Sequence, residues 1–340
     1  MNEMIYSNYS DSIECPKLIN IKDNIYALCF YIMKLIPAKY IIARAYRANR
    51  INPGFPVVDT SSGTFALGMG IVCAEMDLPF IVFGDSAIDP TLKNRLELLG
   101  GEVVIVDGSG NQSPQQARLK ALHDHLGRSP ESFWPQQYDN PDVLDSYAFV
   151  ADMVNDALPE NLTLVASVGS GGSACGVSRR LRALRPGTRL VGVDTFGSVL
   201  FGLNNGSREL RGLGNSIMPG NLHHDAFDIV HWVDRNGAFL HARNLLQEHA
   251  IFAGPTSGAA YQIALWHATE EPDRKIVFIA PDWGYRYQEM FEPSTDNVLN
   301  QARYSGGFRP KMVDRPKDAS PPWSMLNWRR RRHADLYPTA

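Results

Sequence analysis

The chain has 340 residues, 44% of them hydrophobic, and a formal net charge of −3, which suits a globular protein with room for two cored domains and excludes a fibrous or wholly disordered one. Its four cysteines, Cys15, Cys29, Cys73 and Cys175, show no Cys-x-x-Cys spacing and no neighbouring His set, so a reducing cytoplasm is expected and neither a metal site nor a disulfide framework is. No apolar run approaches the length of a membrane span, and the polar, acidic start from Met1 to Asp11 is unlike a signal peptide.

In chain order, the apolar stretch from Asn24 to Ile36 ends in Pro37-Ala38-Lys39-Tyr40, and Ile41 to Arg47 has helical spacing. Proline suits the first helical position. Lys39 would then lie in a first turn among apolar neighbours, where desolvation and the helix dipole both lower an amine's pKa and make it a better nucleophile. Pro56-Val57-Val58 is a predicted strand entering Asp59-Thr60-Ser61-Ser62-Gly63-Thr64, with a helix from Phe65 to Met76. Hydroxyls and successive N–H groups at a helix start suit a carboxylate ligand, and Thr60 to Ser62 would serve equally as capping residues. A strand over Phe80 to Phe83, a helix over Thr91 to Leu99, a Gly100-Gly101 stop and a strand over Val103 to Val106 follow. This alternation predicts an α/β chain of doubly wound, three-layer type with mostly parallel sheets.

Gln136-Gln137-Tyr138-Asp139-Asn140-Pro141 forms a polar turn before a helix over Leu144 to Leu158. The apolar strand Leu162 to Ala166 then leads through Ser167-Val168-Gly169-Ser170-Gly171-Gly172-Ser173 into a helix ending near Leu184. Strand, glycine turn and helix start in series let backbone N–H groups and the helix dipole converge on one phosphate, and Ser170 and Ser173 add hydroxyls. Gly169-x-Gly171-x-x-Ala174 also fits a dinucleotide fingerprint, with Asp194, at the end of the strand Leu190 to Asp194, where a ribose-binding acid would sit. No Gly-Lys-Ser/Thr follows, which excludes a nucleoside triphosphate loop. Later come the flexible turn Gly212-Leu213-Gly214-Asn215-Ser216, a helix over Ala238 to Glu248, a third hydroxyl-bearing turn at Gly254-Pro255-Thr256-Ser257-Gly258, and a strand over Ile276 to Ala280 that ends in Pro281-Asp282-Trp283-Gly284. From Gln301 to Ala340 nine Lys/Arg stand against three Asp. A solvated, partly disordered end is expected there rather than a nucleic-acid contact, because the rest of the chain is acidic.

Taken together, the order and spacing of a lysine near the start, Ser61-Ser62-Gly63-Thr64, Gln137-Tyr138, Gly169 to Ser173, Thr256-Ser257-Gly258-Ala259-Ala260 and Pro281-Asp282-Trp283-Gly284 resemble the cysteine synthase and tryptophan synthase β-subunit superfamily, the fold-type II pyridoxal-phosphate enzymes. The resemblance covers residues 12 to about 290 and is greatest to the cysteine synthase branch. It implies pyridoxal 5'-phosphate as cofactor, Lys39 as the Schiff-base lysine, and Gly169, Ser170, Gly171, Gly172 and Ser173 as the phosphate loop. Thr256 would meet the pyridine nitrogen and Thr64, where the family has Asn, the ring hydroxyl. Ser61, Ser62, Gln137 and Gly214 would face the substrate. It further implies an N-terminal domain over 1–145, with residues about 14–36 packing on the other, a C-terminal domain over 146–300, a tail over 301–340, and a cytoplasmic homodimer. The implied activity is β-replacement on an O-activated serine or similar amino acid through an aminoacrylate. A β-eliminating lyase, of cysteine desulfhydrase or serine/threonine dehydratase kind, and a non-catalytic binding homologue are the alternatives. A nicotinamide oxidoreductase would rest on Asp194 alone.

Overall fold

The structure, a computed structural model, describes residues 5–61, 63–108, 114–210, 212–291 and 309–336. These fall into two units, one within Met1–Cys15 and Ile32–Ser146 and the other within Pro16–Tyr31 and Tyr147–Ala340. The chain opens in the first unit with α1 (Tyr9–Glu14) and leaves it for β1 (Lys17–Lys22) and β2 (Ile25–Cys29), which belong to the second. It returns with α2 (Leu35–Arg47), β3 (Val57–Thr60), α3 (Thr64–Glu75), β4 (Phe80–Gly84), α4 (Pro90–Leu98), β5 (Glu102–Ile105), α5 (Pro114–Arg128) and α6 (Asp142–Ser146).

The first unit is a parallel three-stranded sheet in the order β3-β4-β5. Every residue of β3 is buried, as a parallel strand covered on both faces should be. Helix α3 is apolar on all sides and buried from Phe65 to Cys73, so it runs through the interior of the unit rather than along its surface. Val58, Phe83 and Leu122 form a core between β3, β4 and α5.

The second unit continues with α7 (Ala148–Ala157), β6 (Leu162–Ser167), α8 (Gly172–Leu184), β7 (Arg189–Thr195), β8 (Ile229–Val233), α9 (Arg235–His249), α10 (Pro255–Glu270), β9 (Lys275–Ala280), β10 (Lys311–Met312) and β11 (Trp323–Asn327). Its eight-stranded sheet has the order β1-β2-β9-β6-β7-β8-β11-β10. Strands β2, β9, β6, β7 and β8 run parallel, while β1 and β11 close on either side with antiparallel pairings. The polar loops that follow β6 and β7 therefore gather at one edge of the sheet, where ligands bind in such folds.

Part of the segment expected to be a partly disordered tail packs on the second unit. The basic, Pro-rich end is ordered over 309–336: β11 pairs with β8, and Trp323 and Trp328 are buried. Its arginines are used internally, Arg330 on Asp228 and Arg331 on the carbonyls of Trp328 and Asn327. Composition suggested a partly disordered end, and over 309–336 two tryptophans bury enough apolar surface to fix the segment. The Trp323 indole N–H donates to His231 Nδ1 at 3.0 Å, and His231 Nε2 meets His267 Nε2 at 3.2 Å. Because Nδ1 accepts, His231 carries its proton on Nε2 and donates to His267. Burial, reinforced by His267, holds His231 well below the ordinary histidine range, so His231 is neutral at neutral pH. Among the described residues no helix is long and apolar enough to cross a membrane, and no cluster of metal-ligating side chains occurs.

Trp323→Ala removes both the buried ring and the donor to His231, and is expected to destabilise the protein by about 3–5 kcal/mol. Urea unfolding followed by far-UV circular dichroism checks this, and a change under about 1 kcal/mol would mean that β11 is not integral to the sheet.

Candidate functional site

In the first unit the two lysines of α2 and its approach have different surroundings. Helix α2 begins at Leu35, with Lys34 at the N-cap and Pro37 inside the first turn, where a missing N–H costs nothing because no acceptor awaits it. Lys39 lies beyond that turn and its ammonium bonds the carboxylates of Asp11 and Glu14 on α1. Burial disfavours its charge, yet the two carboxylates outweigh burial and raise its pKa, the reverse of the expected activation. Lys34 instead is half-buried, and its Nζ lies 3.4 Å from Gln137 Oε1. Gln137 is buried and its amide nitrogen donates to the Thr60 carbonyl at 2.9 Å, which turns its oxygen toward Lys34. Lys34, Gln137 and the turn after β3 thus form one connected group, and Lys39 stands outside it.

Within that turn Ser61 is buried and its hydroxyl accepts the Gly63 N–H at 3.2 Å, and Thr64 opens α3. Ser62 lies outside the described residues. Asp59, at the end of β3, accepts the Thr60 N–H at 2.6 Å, and its second oxygen has no partner among the described residues. Burial pushes its carboxyl up to about 7, against the opposing backbone hydrogen bond from Thr60.

In the second unit β6 delivers its C-terminal end into the glycine turn. Gly171 adopts φ +81°, and a Cβ there would stand 2.7 Å from Leu222 Cα, so both the left-handed backbone and the close approach require glycine. Gly172 and Ser173 open α8. Among the described residues, the N–H groups of residues 170–173 have no backbone acceptor and are the donors that a helix start leaves open to an anion. The loop after β7 backs this turn: Gly214 N donates to Val168 O at 2.8 Å, and Asn215 Nδ2 donates to Gly169 O at 3.1 Å. Asn215 carries this support without having stood out in the sequence, although an amide directly after Gly212-Leu213-Gly214 is the available signal.

Thr256 follows Pro255 at the start of α10 and is buried, yet its Oγ1 has no hydrogen-bond partner among the described residues. Ser167 fixes the same residue from β6 by donating to its carbonyl at 2.7 Å. A buried hydroxyl left unpaired costs about 1–3 kcal/mol, so this one fits a ligand atom. Within this unit, the orphaned hydroxyl and the run of open N–H groups are donors that fit pyridoxal phosphate. Asp194 is wholly buried at the end of β7, out of reach of a ribose, and the dinucleotide fingerprint loses its acid.

Comparison with known proteins agrees with this chemistry. A family model described as pyridoxal-phosphate dependent enzyme matches residues 33–282. The chain is 36% identical over 257 residues to the N-(2-amino-2-carboxyethyl)-L-glutamate synthase of Ralstonia nicotianae, covering 74% of this chain and 75% of that one. It is 29% identical over 255 residues to a cysteine synthase of Helicobacter pylori, covering 73% and 82%. Among solved structures, the O-acetylserine dependent cystathionine beta-synthase from Helicobacter pylori matches with a TM-score of 0.77 at 23% identity, over 84% of this chain and 98% of that one. An O-ureido-L-serine synthase matches with a TM-score of 0.77 at 21% identity, over 87% and 99%. At those identities the structural matches establish the shared fold.

The buried Asp59 has a consequence for stability. Its folded pKa of about 7 lies above the ordinary carboxyl value, so between about pH 4 and 7 the folded chain holds a proton that the unfolded chain has released. This group therefore weakens the fold progressively as pH rises through that window. Asp59→Asn is expected to gain stability relative to the parent from about pH 4 to 7, with a constant difference above, in urea titrations across that range. A difference that does not change with pH would refute the raised carboxyl.

Proposed function

The chain belongs to the pyridoxal-phosphate-dependent enzymes, and on that premise we propose that it catalyses β-replacement on an O-activated serine, exchanging the β-substituent for an amine or thiol nucleophile. The observation that carries the reading is the unpaired hydroxyl of Thr256. Bound pyridoxal phosphate supplies the electron sink that labilises the α-proton and the β-leaving group. A neutral hydroxyl at the pyridine nitrogen does not hold that nitrogen protonated as a carboxylate can, which favours prompt loss of a β-substituent over long-lived carbanion chemistry. The named activities of the relatives, an aminocarboxyethyl-glutamate synthase and a cysteine synthase, support replacement over elimination.

The residues divide the work. Lys34, not Lys39, is the proposed attachment point and the group that moves the proton at the substrate's α-carbon. Gln137 holds the Lys34 amine against the turn after β3 through its bond to Thr60. Ser61, with Ser62 and Gln137, is proposed to bind the substrate carboxylate, and Thr64, one residue into α3, the cofactor's ring hydroxyl. Gly169 to Ser173 hold the phosphate by backbone N–H groups and hydroxyls, and Gly214 shapes the loop behind them. A cytoplasmic homodimer belongs to the same proposal and is checked by sedimentation.

Borohydride reduction followed by peptide mapping is expected to leave the pyridoxyl group on Lys34; label on Lys39 overturns the assignment. Lys34→Ala should lose about 10³-fold or more in turnover. Lys39→Met should keep most of it, because its ion pairs are partly exposed and worth about 0–1 kcal/mol. Turnover is measured with O-acetylserine or O-phosphoserine and with sulfide or glutamate as nucleophile. Pyruvate and ammonia as the main products in the presence of either nucleophile would replace the reading with a lyase.

A further inference from the structure

Asp194 was singled out by the sequence and has no part in the reading above. It is the penultimate residue of β7, with its carboxylate wholly buried, accepts the Thr195 N–H at 2.8 Å, and leaves Oδ2 without a partner among the described residues. It lies directly beneath the loop that backs the glycine turn. Gly214 adopts φ +73°, and a Cβ there would stand 3.0 Å from Asp194 Oδ1 and 3.0 Å from Ser198 Oγ, so no side chain separates the carboxylate from the loop. Ser198 Oγ in turn accepts the Asn215 N–H at 3.1 Å, and Asn215 Nδ2 reaches Gly169 O at 3.1 Å. A continuous path of contacts therefore runs from Asp194 through Ser198 and Asn215 to the first glycine of the phosphate loop.

We propose that Asp194 is a positioning residue for that loop, a buried acid behind it whose ionisation weakens the hold on a phosphomonoester. This rests on the pyridoxal-phosphate reading. A charge placed behind the loop opposes the anion in front of it, in a medium that screens poorly. By linkage, the bound phosphate must favour the protonated acid to the same degree. Burial pushes the carboxyl up to about 7, against the pull of the Thr195 N–H and the Ser198 hydroxyl, so the change falls within the physiological range.

The charged group whose field acts on Asp194 is Arg208, held through Nη1 by Gly197 O at 2.8 Å and Asn205 Oδ1 at 3.1 Å, and it offsets the acid's charge without forming a direct pair. On the flanking strands β6 is uncharged, and β8 presents Trp232 as the register partner of Asp194. The titratable residue of β8, His231, is engaged with His267 and Trp323. The first turn of α10 is uncharged.

The test is the dissociation constant of pyridoxal 5'-phosphate from reconstituted apoprotein between pH 6 and 8.5, for the parent and for Asp194→Asn, which keeps an acceptor for the Thr195 N–H. The phosphate's own second ionisation near pH 6 affects both proteins equally. The parent is expected to lose about tenfold in affinity, relative to Asp194→Asn, as pH rises through about 7. The variant should hold the cofactor more tightly than the parent at pH 8.5, a gain that general structural damage would not produce. Unphosphorylated pyridoxal should show no such difference. Parallel pH profiles for parent and variant, or weaker retention by Asp194→Asn at every pH, would overturn the inference alone. Failure of the parent to take up pyridoxal phosphate at any pH would instead overturn the functional reading.

Discussion

A helix start leaves backbone N–H groups without acceptors, and the second unit is organised around keeping one such start in place. Strand β6 is paired on both sides, by β7 and β9, so the turn at its end cannot shift without breaking two ladders. The loop after β7 then presses on that turn through Val168 and Gly169. Ser167 extends the same fixture to Thr256 on α10. Donors that must meet an anion in one geometry gain from such restraint, because no reorganisation is left to be done when the ligand arrives.

Much of this was legible from the chain because the signals are local. The glycine turn, the hydroxyl turns and the alternation of strands and helices follow from backbone requirements that only a few residue types meet. Local signals do not tell the two lysines of this stretch apart. Pro37 lies inside the first turn of α2 and is not its first residue, so a helix start at Pro37 puts Lys39 in the first turn, whereas the structure has Lys34 at the N-cap and Lys39 beyond that turn. What separates the two lysines is not local. Asp11 and Glu14 lie on α1, and Gln137 comes far along the chain. No spacing rule pairs an amine with a carboxylate brought to it by tertiary structure. The C-terminal end was hidden by composition, since arginines and prolines outweighed two tryptophans that find burial only when β8 offers an edge.

Asp59 and Asp194 make a matched pair that the sequence shows without explaining. Each is the penultimate residue of a parallel strand that ends in Thr, and each accepts that threonine's N–H while leaving one oxygen unpaired among the described residues. One stands at the start of the hydroxyl turn in the first unit and the other behind the glycine turn in the second. Buried carboxyls of this kind weaken a fold when ionised, so each of these two turns carries a stability cost of the kind found where departures from stable packing serve function.

The sheet of the second unit also sets the order in which the chain can acquire its structure. Its β1 and β2 come from residues 17–29, its middle strands from 162–280, and its far edge from 311–327. The register between Ile25 and Ile276 joins residues that leave the ribosome far apart in time. The first unit can complete its sheet from β3, β4 and β5 well before β9 exists, while β2 waits with one edge unpaired. Contacts of such long sequence separation slow folding and lengthen the life of exposed strands. The nascent chain therefore carries the open apolar edge of β2 until β9 is made, and chaperone demand should be set by that wait more than by the stability of the finished protein.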